Sequence, residues 1–134
     1  MPKQVVARAG VVLEDEAGRF AVLQRTRTGK WELPGGRVDA GERRRVAAAR
    51  EASEETGARV TITGKVGRVV VRRGGAPVPY TAFRATTSDR VAAVEASHDR
   101  VAWVTVDDLV AYDLSDSLAA ITALLIAERA LASA

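Results

Sequence analysis

The stretch Gly36–Ala58, GRVDAGERRRVAAAREASEETGA, constrains the rest of the chain more than any other. A glycine turn is followed by Glu42, then by Arg50-Glu51 and Glu54-Glu55, and the run closes at Gly57. Read as a helix from about Arg43 to Thr56, turning ~100° per residue, it stacks Glu51, Glu54 and Glu55 on one edge, because side chains three and four apart are neighbours. Val46, Ala49, Ala52, Ser53 and Thr56 fall on roughly the opposite face, where small side chains allow close approach to a sheet. Asp39 or Gly41 lies near the expected N-cap, Glu42 in the first turn, and Gly57 suits the left-handed residue that ends a helix.

The acidic edge is costly. Like charges four apart destabilise a helix by ~0.2–0.5 kcal/mol per pair, and anions near the C-terminus also oppose the macrodipole. Two readings relieve it. One is a solvated helix end helped by Arg50 and Arg43–Arg45. The other is a hard divalent cation such as Mg²⁺, which takes oxygen ligands from carboxylates and from substrate phosphates. The chain has no cysteine and one histidine, which excludes disulfides, thiolate chemistry and a multi-histidine metal site. Any metal is therefore expected to be held by oxygen.

The 134 residues, 47% hydrophobic and 28% charged, are expected to form one domain spanning 1–134, long enough for a real core. No run reaches the ~18–20 apolar residues of a membrane span, and Met1–Gly10 carries charged and polar residues where a signal peptide needs an apolar stretch. A cytoplasmic location is expected. The net charge of +3 rests on nearly balanced bases and acids. It suits an anionic small molecule and does not point to a nucleic acid polymer or a membrane.

Apolar runs and turn residues place strands at Gln4–Leu13 (buried on both faces), Phe20–Arg25, Trp31–Leu33, Arg59–Arg72, Tyr80–Ala85 and Val101–Val106. Arg59–Arg72 is expected to bulge at Gly64 or Gly67. Pro34 and the glycines after it should interrupt the third strand. Arg73–Pro79 reads as a hairpin tip and Ser88–Arg100 as a loop. A short helix follows at Asp107–Tyr112, and a last one runs from about Ser115 to Ala132 with Leu118, Ile121 and Leu125 on its apolar stripe. Trp31 and Trp103 read as packing residues and His98 as an ordinary loop histidine. This order gives an α/β or α+β fold with a mixed sheet between helices.

Position for position, Gly36–Ala58 resembles the Nudix box. Gly36, Glu42, Arg50, Glu51, Glu54, Glu55 and Gly57 fill the fixed positions, and Ala52 and Ala58 the aliphatic ones. Such a match arises by chance at about one start in 10⁸. The lead-in Trp31-Glu32-Leu33-Pro34-Gly35-Gly36 is similar to that family's approach to the box. The resemblance implies an α/β/α sandwich and hydrolysis of a nucleoside diphosphate linked to another moiety. It also implies a Mg²⁺ site, with Mn²⁺ as a substitute, made by Glu51, Glu54, Glu55 and the Gly35 carbonyl.

One of those glutamates would double as the base; otherwise a later loop supplies it, with Glu95 the candidate and Asp99 second. Glu42 is rotated ~180° from Glu51 on a regular helix, so it is assigned with Arg50 to a supporting pair. Arg25 and Arg37, with Arg27 and Lys30, flank the box and could meet phosphates. The tail from Trp103 to Asp116 is similar to MutT-like and CTP-pyrophosphohydrolase branches, which implies a base-reading role for Asp116; a first-turn acid is the plainer reading. A (deoxy)nucleoside triphosphate is the preferred substrate. ADP-ribose or another nucleoside diphosphate derivative, and a non-catalytic nucleotide-sensing module, are the alternatives. A monomer or a homodimer would each be compatible with the resemblance.

Overall fold

The computed structural model describes residues 6–133. The elements are β1 (Arg8–Leu13), β2 (Phe20–Arg25), β3 (Trp31–Glu32), β4 (Gly35–Arg37), α1 (Arg44–Thr56), β5 (Thr61–Arg73), β6 (Ala76–Thr86), β7 (His98–Val104) and α2 (Asp116–Ala132), with a 3-10 turn at Asp107–Ala111. Gln4 and Val5 of the first expected strand lie outside the described residues. The strands divide between two sheets, a four-stranded mixed one in the order β4-β1-β6-β5 and a three-stranded antiparallel one in the order β3-β2-β7. Among the described residues no helix is long and apolar enough to cross a membrane.

β1 is the central strand. It pairs antiparallel with β4 and parallel with β6, and it is buried on both faces, which accounts for its nearly unbroken apolar sequence. Ala9, Val11 and Leu13 pack with Ala48 and Ala52 of α1. Val12, on the other side, packs with Tyr80, Ala82 and the Leu118, Ile121 and Leu125 stripe of α2. Mixed strands are thus enclosed between two helices, as the sequence pattern predicts.

The chain changes sheets at Leu33–Pro34. Pro34 has no N–H, and its carbonyl accepts from Val11 N–H at 2.9 Å. The interruption expected there is real but brief, because Gly35 and Gly36 re-enter extended structure as β4. Their lack of a side chain is required: a Cβ on Gly35 would lie 2.3 Å from the Ala9 carbonyl oxygen. Downstream, β5 shifts register at both expected places, Ile62/Gly64 and Lys65/Gly67. The hairpin tip is shorter than the sequence suggested, with β5 ending at Arg73 and β6 beginning at Ala76. Pro77 and Pro79 belong to β6, but β1 joins that strand only from Tyr80. Among the described residues, no strand pairing is made to the β1 side of β6 at Pro77 and Pro79, where their missing donors fall.

The last strand starts earlier than expected, at His98, which pairs with Arg25 across a register shift. Trp31 packs edge-to-face on Tyr112, with ring centroids 5.2 Å apart, and Trp103 packs against the α1-side core. Ser115 caps α2, its Oγ accepting from Leu118 N–H at 3.2 Å.

Candidate active site

α1 carries the acidic residues, and its rotation differs from the expected one. Val46 is half exposed, while Ala47, Ala48, Ala52, Glu55 and Thr56 are buried. The packing face thus includes one of the three glutamates. Helical spacing explains it, since Ala48, Ala52 and Glu55 follow one another at four and three residues. Glu55 is tolerated inside because it has partners there. The helix start also differs: Arg43 is the N-cap residue, without a side-chain cap bond, and no acid lies in the first turn. Glu42 precedes the helix instead, accepting from Asp39 N–H at 3.0 Å. Gly57 ends the helix at φ 72°, where a residue with a Cβ would be strained.

The box acids occupy three environments. Glu55 is 6% exposed; its Oε1 accepts from Gly35 N–H at 2.7 Å, and its Oε2 lies 3.3 Å from His98 Nδ1. Burial, aided by the negative charges of Glu32 and Glu51, pushes its pKa up to about 7. Glu51 is partly buried with its carboxylate against Gly36, where a Cβ would lie 2.5 Å from it. Glu54 is exposed. Arg50 Nη1 reaches both, at 3.0 Å to Glu51 and 3.2 Å to Glu54. The opposite edge of the same guanidinium grips Glu42, with Nε and Nη2 donating at 2.8 and 3.0 Å. Those bonds, with the Asp39 N–H, lower Glu42 to about 2.

Glu51, Glu54 and Glu55 do not converge on a single point. The described residues that bring one ligand atom each within 4.8 Å of one another are Glu32, Glu55 and His98. Glu32 Oε1 accepts from Arg25 Nη2 at 2.7 Å and meets His98 Nε2 at 2.6 Å. Burial works to raise Glu32, but the hydrogen bonds from His98 and Arg25 outweigh it and its pKa is lowered. His98, 3% exposed, therefore bridges Glu32 and Glu55 and is not an ordinary loop residue.

The remaining candidates are dispersed. Arg25 lines a cleft of about 210 Å³ with Arg8, Glu32, Arg73, Tyr80 and Asp116. Asp116 is the exposed first residue of α2, with Ser115 as the cap before it. Arg37 is exposed and lines a different cavity, of about 830 Å³, with Arg43, Arg44 and Arg45. It is therefore not brought together with Arg25; its carbonyl accepts from Arg50 Nη2 at 3.1 Å. Glu95 is exposed in the loop before β7. Its neighbour Val94 donates its N–H to the Glu55 carbonyl at 3.0 Å, tying that loop to the end of α1.

Sequence reasoning missed Glu32, His98, Arg8 and Arg73 as parts of this region. The available signals were the position of Glu32 two residues before Pro34 and the single histidine at the edge of an apolar strand.

Comparison with known proteins identifies the family. A NUDIX domain model matches residues 5–125. A MutT-like protein of Streptomyces ambofaciens is 33% identical over 108 residues, covering 81% of this chain and 68% of that protein. An 8-oxo-(d)GTP phosphatase of Mycolicibacterium smegmatis is 35% identical over 119 residues, covering 78% of this chain but only 36% of the relative's length. A MutT protein from Methanosarcina mazei shares the fold with a TM-score of 0.84 at 24% identity, over 96% of this chain and 98% of that one. The C. elegans Ap4A hydrolase superposes with a TM-score of 0.77 at 26% identity, over 94% and 98% of the two chains. With the box complete and the match spanning residues 5–125, the chain belongs to the Nudix hydrolase family.

Proposed function

We propose that the chain is a Mg²⁺-dependent pyrophosphohydrolase. It cleaves a phosphoanhydride of a nucleotide, by preference a (deoxy)nucleoside triphosphate, to give the monophosphate and pyrophosphate. The observation that carries this reading is the packing of two box carboxylates on one glycine turn: Glu55 on the Gly35 amide at 2.7 Å and Glu51 on the Cα of Gly36. The donor set suits a hard divalent cation. It is dominated by carboxylate oxygens, and the raised pKa of Glu55 marks a buried negative charge in need of a counter-charge. Glu51, Glu54, Glu55 and the Gly35 carbonyl would hold the ion, which requires Glu51 and Glu54 to turn from Arg50 toward Glu55, and Mn²⁺ would substitute. When bound, Mg²⁺ offsets charge on phosphate oxygens and lowers the pKa of bound water.

The chain's own residues supply the rest. Arg50 restrains Glu51 and Glu54 while Glu42 restrains Arg50. Glu55, if it doubles as the base, stands on the Gly35 amide beside His98. Glu54 is open to water, and Glu95 is the alternative base from the loop tied to α1. The cleft that runs from Arg8 to Asp116 would receive the nucleoside, with Asp116 reading a base edge. We assign the protein to the cytoplasm, with a small nucleotide as its partner.

The relatives named for 8-oxo-dGTP support the triphosphate preference. The likeness to an Ap4A hydrolase favours a second reading, cleavage of a dinucleoside polyphosphate or another nucleoside diphosphate derivative such as ADP-ribose. A purely nucleotide-sensing module is disfavoured because no box carboxylate is missing. The deciding experiment is a Mg²⁺-containing panel of dNTPs, NTPs, 8-oxo-dGTP, dinucleoside polyphosphates and ADP-ribose, with product analysis. Pyrophosphate release from a triphosphate supports the first reading. Turnover confined to ADP-ribose or Ap4A replaces it with the second, and no turnover with any divalent metal removes both.

A further inference from the structure

Arg8 begins β1 and stands in register with Tyr80 of the parallel neighbour β6. Tyr80 belongs to the core on the α2 side, so Arg8 and Tyr80 share that face of the sheet. Arg8 is partly buried. The carboxylate whose charge reaches it, Glu32, is already held by Arg25 and His98, and among the described residues no ion pair joins Glu32 to Arg8. Arg73, exposed at the end of β5, adds a second positive charge beside it. Both arginines line the cleft that holds Asp116. Both also line a constriction of about 20 Å³ that includes Gly35, Gly36 and Glu32. They therefore stand where the cleft meets the glycine turn that carries Glu51 and Glu55.

A partly buried cation without a counter-charge is destabilising. Arginine at such a place is explained by an anion that arrives with the substrate, and its planar fork fits two oxygens of a phosphate at once. We propose that Arg8, seconded by Arg73, is a specificity-determining residue that takes non-bridging phosphate oxygens beside the Gly35–Gly36 turn. It thereby selects ligands with at least two linked phosphates. This rests on the reading of the box as a phosphoanhydride site. The expected positions, Arg25 and Arg37, are less suited to the task, since Arg25 is neutralised by Glu32 and Arg37 lies on the other cavity.

The test measures binding, not turnover. Methylenediphosphonate, which is not hydrolysed, is titrated calorimetrically with Mg²⁺ present into wild type, Arg8→Met and Arg8→Lys, and each protein is melted without ligand. Arg8→Met is expected to weaken diphosphonate binding by about tenfold or more. Its melting temperature should stay level or rise, because a partly buried charge without an ion-pair partner has been removed. Arg8→Lys should recover part of the affinity. The proposal is overturned if Arg8→Met binds as wild type does, or if its melting temperature falls, which would make Arg8 a structural residue. It is also overturned if wild type binds the diphosphonate no better than inorganic phosphate. Arg8-dependent diphosphonate affinity in a protein that hydrolyses no nucleotide would contradict the proposed reaction and leave this subsite standing. Nucleotide hydrolysis with an unchanged KM in Arg8→Met would do the reverse.

Discussion

Arg50 and Glu42 form a two-pronged ion pair, with Nε at 2.8 Å from Oε2 and Nη2 at 3.0 Å from Oε1. The remaining nitrogen, Nη1, bonds Glu51 and Glu54. Glu42 therefore acts on the acidic edge without belonging to it: it fixes the arginine that ties Glu51 and Glu54 to one nitrogen. Replacing Glu42 with Gln keeps the shape but removes the charge. Loss of such a supporting partner characteristically costs ~10–100-fold in metal affinity or activity. Mg²⁺ titration of the Glu42→Gln variant should show the metal requirement rising by that order. An unchanged titration would assign the pair to stability alone.

Gly36 is expected to tolerate no side chain. A Cβ would lie 2.5 Å from the Glu51 carboxylate, so Gly36→Ala must displace that group. A misplacement of about 1 Å can cost on the order of 10²-fold in rate. A kcat reduced to that degree with a nearly native melting temperature is the expected result. Wild-type turnover in Gly36→Ala would show that the position of Glu51 is not critical.

Glu55 gives the metal-free protein a defined pH response. Its folded pKa of about 7 lies above the ordinary value of 4.5. Between those values the folded state keeps a proton that the unfolded chain has released. Stability therefore falls as pH rises from about 4.5 to about 7, by a total on the order of 3 kcal/mol. A divalent cation bound to the ionised carboxylate offsets this loss. The rise in melting temperature caused by Mg²⁺ should accordingly be larger at about pH 8 than at about pH 5.5, and the contrast should shrink in Glu55→Gln. Equal Mg²⁺ effects at both pH values would count against Glu55 as a ligand.

His98 is expected to matter for folding as well as for the site. It is almost fully buried and meets both Glu32 and Glu55. His98→Ala would leave the buried Glu55 Oε2 without its partner, while Glu32 Oε1 keeps Arg25 Nη2, at a cost of about 1–3 kcal/mol. Chemical denaturation should register that loss. His98→Gln, which keeps a donor, should lose less; equal losses in the two variants would point to packing as the cause.

Much of this was legible in the chain because the information is local. Four-residue spacing identified the acidic helix, and continuous apolar character identified β1 as buried on both sides. Gly57 marked the helix end and Gly64 and Gly67 the bulges. Other features depend on distant pairings. Glu32 and His98 are 66 residues apart and meet only because β3 and β7 flank β2. Arg8 and Arg73 approach one another only after β1 pairs with β6 and β6 with β5. The rotation of α1 misled because an acid was read as solvent-facing, whereas Glu55 has an amide donor inside. The length of the hairpin misled because Pro77 and Pro79 suggested a turn, whereas both pair with β5 as part of a strand.

The pairing of β1 with both β4 and β6 has a consequence for biogenesis. A nascent chain that has emerged only through Ala58 contains every box residue, yet lacks the Tyr80-containing strand beside Arg8 and the histidine beside Glu55. Parallel pairing across such a sequence separation closes late and slowly. The acidic helix packs mainly on β1 and β4, which precede it, whereas the neighbours of Arg8 and Glu55 come from β6 and β7, so competence to hold a ligand is expected only once the carboxy-terminal half has been made.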